Sequence, residues 1–270
     1  MKCWTLPLVA SAAFTFLSAG GDEPPIKKDQ ILKVFVDEFV ALTPGEGKFP
    51  ATFQIGSANG PESESPVTTV TLKKPFAVAR FEVTQELYAA VVGVNPSRWK
   101  GPRNSVEMVS WTEANEFCRK VTAELQQRNL IRTDELIRLP SETEWEYACR
   151  AGTKTAYSFG DDPDKLSDYG WFNGNAKGND PPVGKKLPNA WGLYDMHGYV
   201  WEWCADGWQP TLAGIPADGA RRRVADASDH VLRGGSWADD ADKARSAFRH
   251  HQPAVTRSDA IGFRCVRAKK

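Results

Sequence analysis

No charge of either sign prevails in this chain: 34 Lys and Arg residues face 34 Asp and Glu residues, so no global field draws it to nucleic acid or to an anionic membrane. Histidine is scarce, at four, and neither His-Glu-x-x-His nor Cys-x-x-Cys occurs, which removes the common zinc signatures. Beyond Leu17 no apolar run approaches the roughly 20 residues that a membrane-spanning helix needs. No segment repeats at a fixed period, so nothing points to a solenoid or propeller. The run Arg221, Arg222, Arg223 is short and reads as a solvated loop.

What is present begins with a leader. The opening MKCWTLPLVASAAFTFLSAGGDEPP has a basic Lys2, an apolar run from Cys3 to Leu17 and small residues from Ser18 to Gly21. Acid and proline follow at once, the pattern of a secretory signal. Cleavage near Ala19 would leave Cys118, Cys149, Cys204 and Cys265, an even number suited to an oxidising compartment, and four cysteines permit three pairings. The mature chain is therefore expected to be secreted or periplasmic and to lack a membrane span. We read residues 1–19 as signal, 20–30 as linker and 31–270 as a single domain, expected to be a monomer. Ten tryptophans and 41% hydrophobic residues suffice for a sizeable core, while 22 Gly and 18 Pro predict many loops.

Along the chain, ILKVFVDEFVAL satisfies helix and strand periods equally poorly. FPATFQIGS and VTTVTLKKPFAVARFEV read as strands separated by the turn chemistry of ANGPESESP. Thr84 opens a short helix that Gly93 closes. Ser110 with Glu113, and Ser141 with Glu144, are capping boxes that start two further helices. In the first of these, Ala114, Phe117, Val121 and Leu125 share one face. From Gly152 to Ala190 regular signals fade, which predicts a long structured loop region held by metal, disulfide or function. HVLRGGSW and IGFRCVRA read as strands, the last able to pair with the first strands and close the domain.

In order, the segments FQIGS, FAVARFEVTQELY, NPSRWKG, VEMVSWTEANEFC, LPSETEWEYACRAGT, NAWGLYDMHGYVWEW, RGGSW and GFRC resemble the formylglycine-generating-enzyme family, built on the sulfatase-modifying-factor domain. The resemblance implies an α+β variant of the C-type-lectin fold, loop-rich for its size. It further implies an oxidase that converts a sulfatase cysteine to formylglycine, with copper held by two cysteines shortly after the GGS motif. Here Ser236 is followed by WADDADKARSAFRHH, and no cysteine occurs between Cys204 and Cys265. Copper(I) prefers thiolate, and Asp239, Asp240, Ala241 and Asp242 offer none. Copper is therefore not expected, and no catalytic residue is assigned.

In the family the loop matching DMHGYVWEW holds structural calcium, which implies Asp195, the carbonyls of Gly198 and Val200, and Glu202 as ligands. Calcium takes six to eight oxygens of just these kinds. Tyr199 stands where the family usually has Asn. Asn173, Asn175 and Asp180 are oxygen donors by composition only and are not assigned to a second site. The resemblance also implies a disulfide between Cys118 and Cys265, whereas the family partner of Cys149 is matched by Ser246; pairing of Cys149 with Cys204 stays open. Trp145, Trp201 and Trp203 are read as core. His250 and His251 would point to opposite faces of a strand and so chelate one metal poorly. Arg245, Arg249, Arg257 and Arg264 are read as buried or semi-buried pair formers. The function expected is that of an exported binding or accessory module recognising a protein, peptide or glycan; the alternative is a divergent sulfatase-maturation oxidoreductase.

Overall fold

A computed structural model describes residues 27–178, 180–225 and 227–270. The expected signal segment lies outside the described residues. The ambiguous ILKVFVDEFVAL resolves into both structures: helix α1, Lys28–Asp37, seats Leu32 and Phe35 in the core, and strand β1, Phe39–Leu42, follows after one residue. α1 thus begins inside the stretch read as linker. Next come β2 (Thr52–Ile55), β3 (Thr68–Thr71), β4 (Phe76–Ala79) and α2 (Gln85–Val92), then α3 (Trp111–Gln127), β5 (Glu135–Arg138) and α4 (Glu142–Arg150). Among its described residues the loop region holds the four-residue helices α5 (Leu166–Tyr169) and α6 (Asn173–Ala176) and a 3-10 turn at Pro163–Lys165. The chain ends with β6 (Trp201–Gly207), β7 (Asp229–Arg233), β8 (His250–Pro253), β9 (Ile261–Gly262) and β10 (Val266–Lys269). This is the expected α+β, loop-rich architecture.

The helix boundaries follow local chemistry. Thr84 Oγ1 accepts from Leu87 N, and Gly93 takes the left-handed conformation, φ +93°, that ends α2. Both capping boxes form, Ser110 with Glu113 and Ser141 with Glu144. Buried Ala114, Phe117, Val121 and Leu125 put α3 against the sheet.

One sheet has the order β1-β4-β10-β5, so the last strand lies antiparallel between the fourth and fifth. The other runs β8-β7-β6-β9, with β6 and β9 parallel and the rest antiparallel. β2 and β3 form a separate hairpin. Trp203 belongs to the core beneath α2 and α3, Trp145 to the one beneath the β2–β3 hairpin, and Trp201 is buried as well. Each indole N–H is satisfied: Trp203 Nε1 donates to Val109 O at 2.9 Å, Trp145 Nε1 to Glu202 Oε2 at 2.7 Å and Trp201 Nε1 to Asp239 Oδ2 at 2.8 Å.

Charge runs through the interior. Arg264 grips Glu202 with two bonds of 2.6 Å and donates to Tyr194 O at 3.0 Å. Arg249 holds Glu142 at 2.5 and 2.9 Å, and Arg233 pairs with Glu146 and lies 3.6 Å from Glu142. Arg245 binds Glu64 through both nitrogens, and exposed Arg257 binds Glu113. All four expected pair formers therefore have carboxylate partners, but Arg257 is exposed rather than buried or semi-buried, because its partner Glu113 sits on the solvent side of the α3 N-terminus. Removing one member of a fully buried pair strands the other charge, at a cost of roughly 3–5 kcal/mol. Arg264→Met should lower unfolding free energy by about that amount, and Arg264→Met/Glu202→Met by less; urea denaturation measures both, and equal losses would refute the pairing.

Candidate functional site

Three carboxylates converge on one guanidinium near the start of β6. Glu202 is saturated by Arg264 and by the Trp145 indole. Asp195, in the left-handed region at φ +57°, accepts from Gly184 N at 2.7 Å through Oδ2 and leaves Oδ1 buried without a partner. Glu82, at the end of the segment that follows β4, lies fully buried with neither oxygen hydrogen-bonded; its nearest cation, Arg264 Nη2, is 3.8 Å away. Burial, and then the charge of Asp195, push the Glu82 carboxyl well above the usual carboxylate range. Burial raises Asp195 to about 6. Glu82 also borders a cavity of about 10 Å³, room for one water.

Surplus buried negative charge with three orphaned oxygens is the donor chemistry that a hard cation satisfies. No three His, Cys, Asp or Glu side chains among the described residues form a closed metal cluster, so carbonyl donors such as those of Gly198 and Val200 would have to complete one. Glu202, expected as a ligand, has Arg264 bound to both its oxygens, and Glu82, which sequence reasoning missed, is the less encumbered carboxylate. No local signal singled out Glu82, because its role depends on contacts far along the chain.

Between these groups, Gly198 passes against Trp171: an added Cβ would stand 2.3 Å from Trp171 O. Tyr199 follows at φ +82°, a conformation rare for an aromatic residue. Its hydroxyl lies 2.8 Å from Asp180 Oδ1 and 2.6 Å from Pro181 O and accepts from Ser105 N at 3.2 Å. These anchors hold it where a backbone preference would not. Asn173, Asn175 and Asp180 do not converge: Asn175 caps Phe172 N, Asn173 bonds the Asp239–Asp240 segment, and Asp180 serves Asn104 and Tyr199.

After the Gly234–Gly235 turn, Asp239 takes a central position. Its Oδ2 accepts from Ser236 Oγ at 2.5 Å and Trp201 Nε1 at 2.8 Å, and its Oδ1 from Lys243 Nζ at 2.9 Å. A carboxylate so saturated is a structural clamp, and Ser236 is a turn residue with its proton committed. His250 lies tilted beside Trp201 at 5.0 Å and His251 stacks on Trp208 at 4.4 Å, so the adjacent histidines serve different tryptophans.

The four described thiols are buried. Cys118 Sγ and Cys265 Sγ lie 3.8 Å apart as free thiols, adjacent but unbonded. Cys149 Sγ is 3.6 Å from Ser246 Oγ and donates to Met196 O at 3.5 Å. Burial raises the Cys149 thiol to about 12, which removes it as a nucleophile at neutral pH.

With this geometry in hand, the chain matches the model of the sulfatase-modifying factor enzyme 1-like domain over residues 30–269. It belongs to the sulfatase-modifying-factor family. Among similar proteins, the inactive C-alpha-formylglycine-generating enzyme 2 of Bos taurus is 30% identical over 79% of this chain and 84% of its own length. The chaperone protein LppX of Paenibacillus barcinonensis is 27% identical over 72% and 80%. Among solved structures, PvdO from Pseudomonas aeruginosa superposes with a TM-score of 0.73 at 29% identity, covering 85% of this chain and 94% of PvdO. Treponema denticola variable protein 1 gives 0.74 at 28%, covering 86% and 95%.

His197 is buried between these groups: its Nδ1–H donates to Ala244 O at 2.8 Å, and Nε2 accepts from Ser158 N at 3.0 Å. Burial lowers its pKa to about 4, against an ordinary value near 6.5. The unfolded chain therefore takes up this proton first as pH falls. The contribution is complete above about 6.5, declines as pH falls toward 4, and amounts to about 3 kcal/mol when lost. Denaturation curves between pH 7.5 and pH 4 should show that decline in the wild type and a shallower one in His197→Asn; parallel profiles would rule out His197 as its source.

Proposed function

We propose that the chain is an exported, non-oxidase binding or accessory module of the sulfatase-modifying-factor family, recognising a protein, peptide or glycan. The observation that carries this reading is the clamp at Asp239, three residues past Ser236 on the stretch where the family resemblance implies copper thiolates. Its oxygens are engaged by a hydroxyl, an indole and an ammonium, and no thiol lies between Cys204 and Cys265. The donor set does not suit copper. Relatives named as an inactive enzyme and as a chaperone agree with such a role. The intact motifs on either side of the altered stretch favour the second reading, a divergent maturation oxidoreductase. No helix among the described residues is long and apolar enough to cross a membrane. To separate the two readings, the protein is incubated with a cysteine-containing sulfatase peptide, copper and a reductant, and aldehyde is sought by mass spectrometry. No aldehyde is expected, and turnover would sink the non-oxidase reading.

A structural calcium ion belongs to the same proposal. Asp195 and Glu82 would hold it with the carbonyls of Gly198 and Val200, and it would offset negative charge that Arg264 alone does not balance. A ligand that binds only the folded state at about 100 times its Kd adds about 2.7 kcal/mol of stability. Chelation should therefore lower the melting temperature of the wild type, and Asp195→Ala and Glu82→Gln should respond less. Identical melting of all three forms with and without chelator would remove the ion from the account.

Export would oxidise Cys118 and Cys265, already side by side across 147 residues of sequence. In the chain-entropy model closing so long a loop contributes about 5 kcal/mol. Nonreducing peptide mapping of protein from an oxidising compartment should return this pair joined; free thiols there would count against both the bridge and export.

A further inference from the structure

We propose that the loop from Val94 to Gly101 docks a protein segment that carries carboxylates beside an apolar side chain. The proposal rests on the binding-module reading and names the place and chemistry of the partner. Val94 is 62% exposed and Trp99 45%, and the Arg98 side chain beside them is 65% exposed. Apolar tips on a slack loop would carry little weight. This loop is held from beneath by two buried polar side chains.

Gln85 donates through Nε2 to Trp99 O at 2.7 Å and accepts through Oε1 from Gly101 N at 3.1 Å and Asn95 Nδ2 at 2.9 Å. Glu107 Oε1 accepts from the successive amides of Arg98 and Trp99, the second at 3.0 Å, and Glu107 N donates to Ser97 Oγ at 3.1 Å. Asn95 Oδ1 closes the turn by accepting from Ser97 N at 3.1 Å. Burying an amide and a carboxylate is unfavourable unless they are bonded. Here the Gln85 amide and Glu107 Oε1 are bonded to one short loop, while Glu107 Oε2 has no partner, and the result is a backbone held in place that presents an indole to solvent. A contact surface ordered before the partner arrives loses less entropy on binding.

The charge around the indole selects the partner. The Arg98 guanidinium lies 5.1 Å from the Trp99 ring centroid and shares Asp259 Oδ2 at 3.0 Å. Lys100 Nζ meets only the Asn95 carbonyl, at 2.9 Å, and no carboxylate among the described residues pairs with it. With Arg98 paired to Asp259, Lys100 supplies the uncompensated positive charge beside the apolar centre, complementary to a carboxylate flanking an apolar side chain, and a partner carboxylate can also share the exposed Arg98 guanidinium. Trp and Arg are the residues that most often anchor protein interfaces, and the aliphatic Val94 suits a protein side chain better than sugar hydroxyls. The surface continues toward the Ser236–Asp239 clamp, since Asp259 O accepts from Trp237 Nε1 at 3.1 Å.

The test pans a random dodecapeptide display library against the full chain and titrates the selected peptides, made synthetically, against wild type, Trp99→Ala and Arg98→Glu. Selected peptides should be rich in Asp and Glu around an aromatic or aliphatic residue. Their Kd should rise at least about tenfold in both variants and also with added salt, as rim charges are screened. Both side chains are exposed, so both variants should melt with the wild type; where either does not, Lys100→Glu takes its place in the titrations. No enrichment, peptides that bind Trp99→Ala as tightly as wild type, or uronate oligosaccharides that bind this loop in place of peptides would each overturn the proposal. Aldehyde formation in the maturation assay would defeat the non-oxidase reading without changing these titrations, so the two failures are distinguishable.

Discussion

Arg233, Arg249 and Arg264 carry their guanidinium groups into the interior, and the fold is organised around the carboxylates that meet them there. Each arginine comes from the C-terminal part of the chain, and each bonds to segments far from it in sequence. Arg264 ties the approach to β10 to Glu202 on β6 and to carbonyls at Ala79, Arg80 and Tyr194. Arg249 ties β8 to α4 through Glu142 and to the carbonyls of Ser63 and Gln209. Such pairs add little net stability over apolar packing, because desolvation offsets the attraction. What they add is direction: a guanidinium accepts partners only in its plane, so loops with little regular structure are held in one arrangement.

That framework explains where the negative charge gathers. Glu82, Asp195 and Glu202 share the neighbourhood of Arg264, and one cation does not neutralise three carboxylates. A comparable crowding occurs at Asp206, which accepts from Glu142 N at 2.8 Å and Arg222 N at 2.7 Å while burial lifts its pKa to about 7. Asp206 has its two amide donors, whereas Glu82 has none. The oxygens of Glu82 and Oδ1 of Asp195 therefore stay buried without a hydrogen-bond partner among the described residues.

Much of the fold was legible locally. Capping residues at Ser110, Ser141 and Thr84 act within one turn, and the expected helices begin where those side chains bond. The apolar face of α3 was equally plain, since its spacing is a property of the helix itself. The boundary between α1 and β1 was not, because Leu32 and Phe35 are placed by packing against residues far along the chain. α5 and α6 are too short to carry a periodic signal. At the candidate site, Asp195 was visible in a dense motif, but Glu82 sits in a segment that reads simply as a strand end. Likewise the clamp on Asp239 brings together side chains 38 positions apart, a pairing that no spacing rule reveals.

The position of β10 bears on how the molecule is made. β10 lies between β4 and β5, with register partners from Val78 on one side to Glu135 on the other, so the sheet remains split until residues 266–269 arrive. During synthesis the N-terminal part therefore exposes two unfilled strand edges and the apolar side of α3. This sheet closes only once β10 has been made and inserted, and until then the edges of β4 and β5 are open to pairing with neighbours.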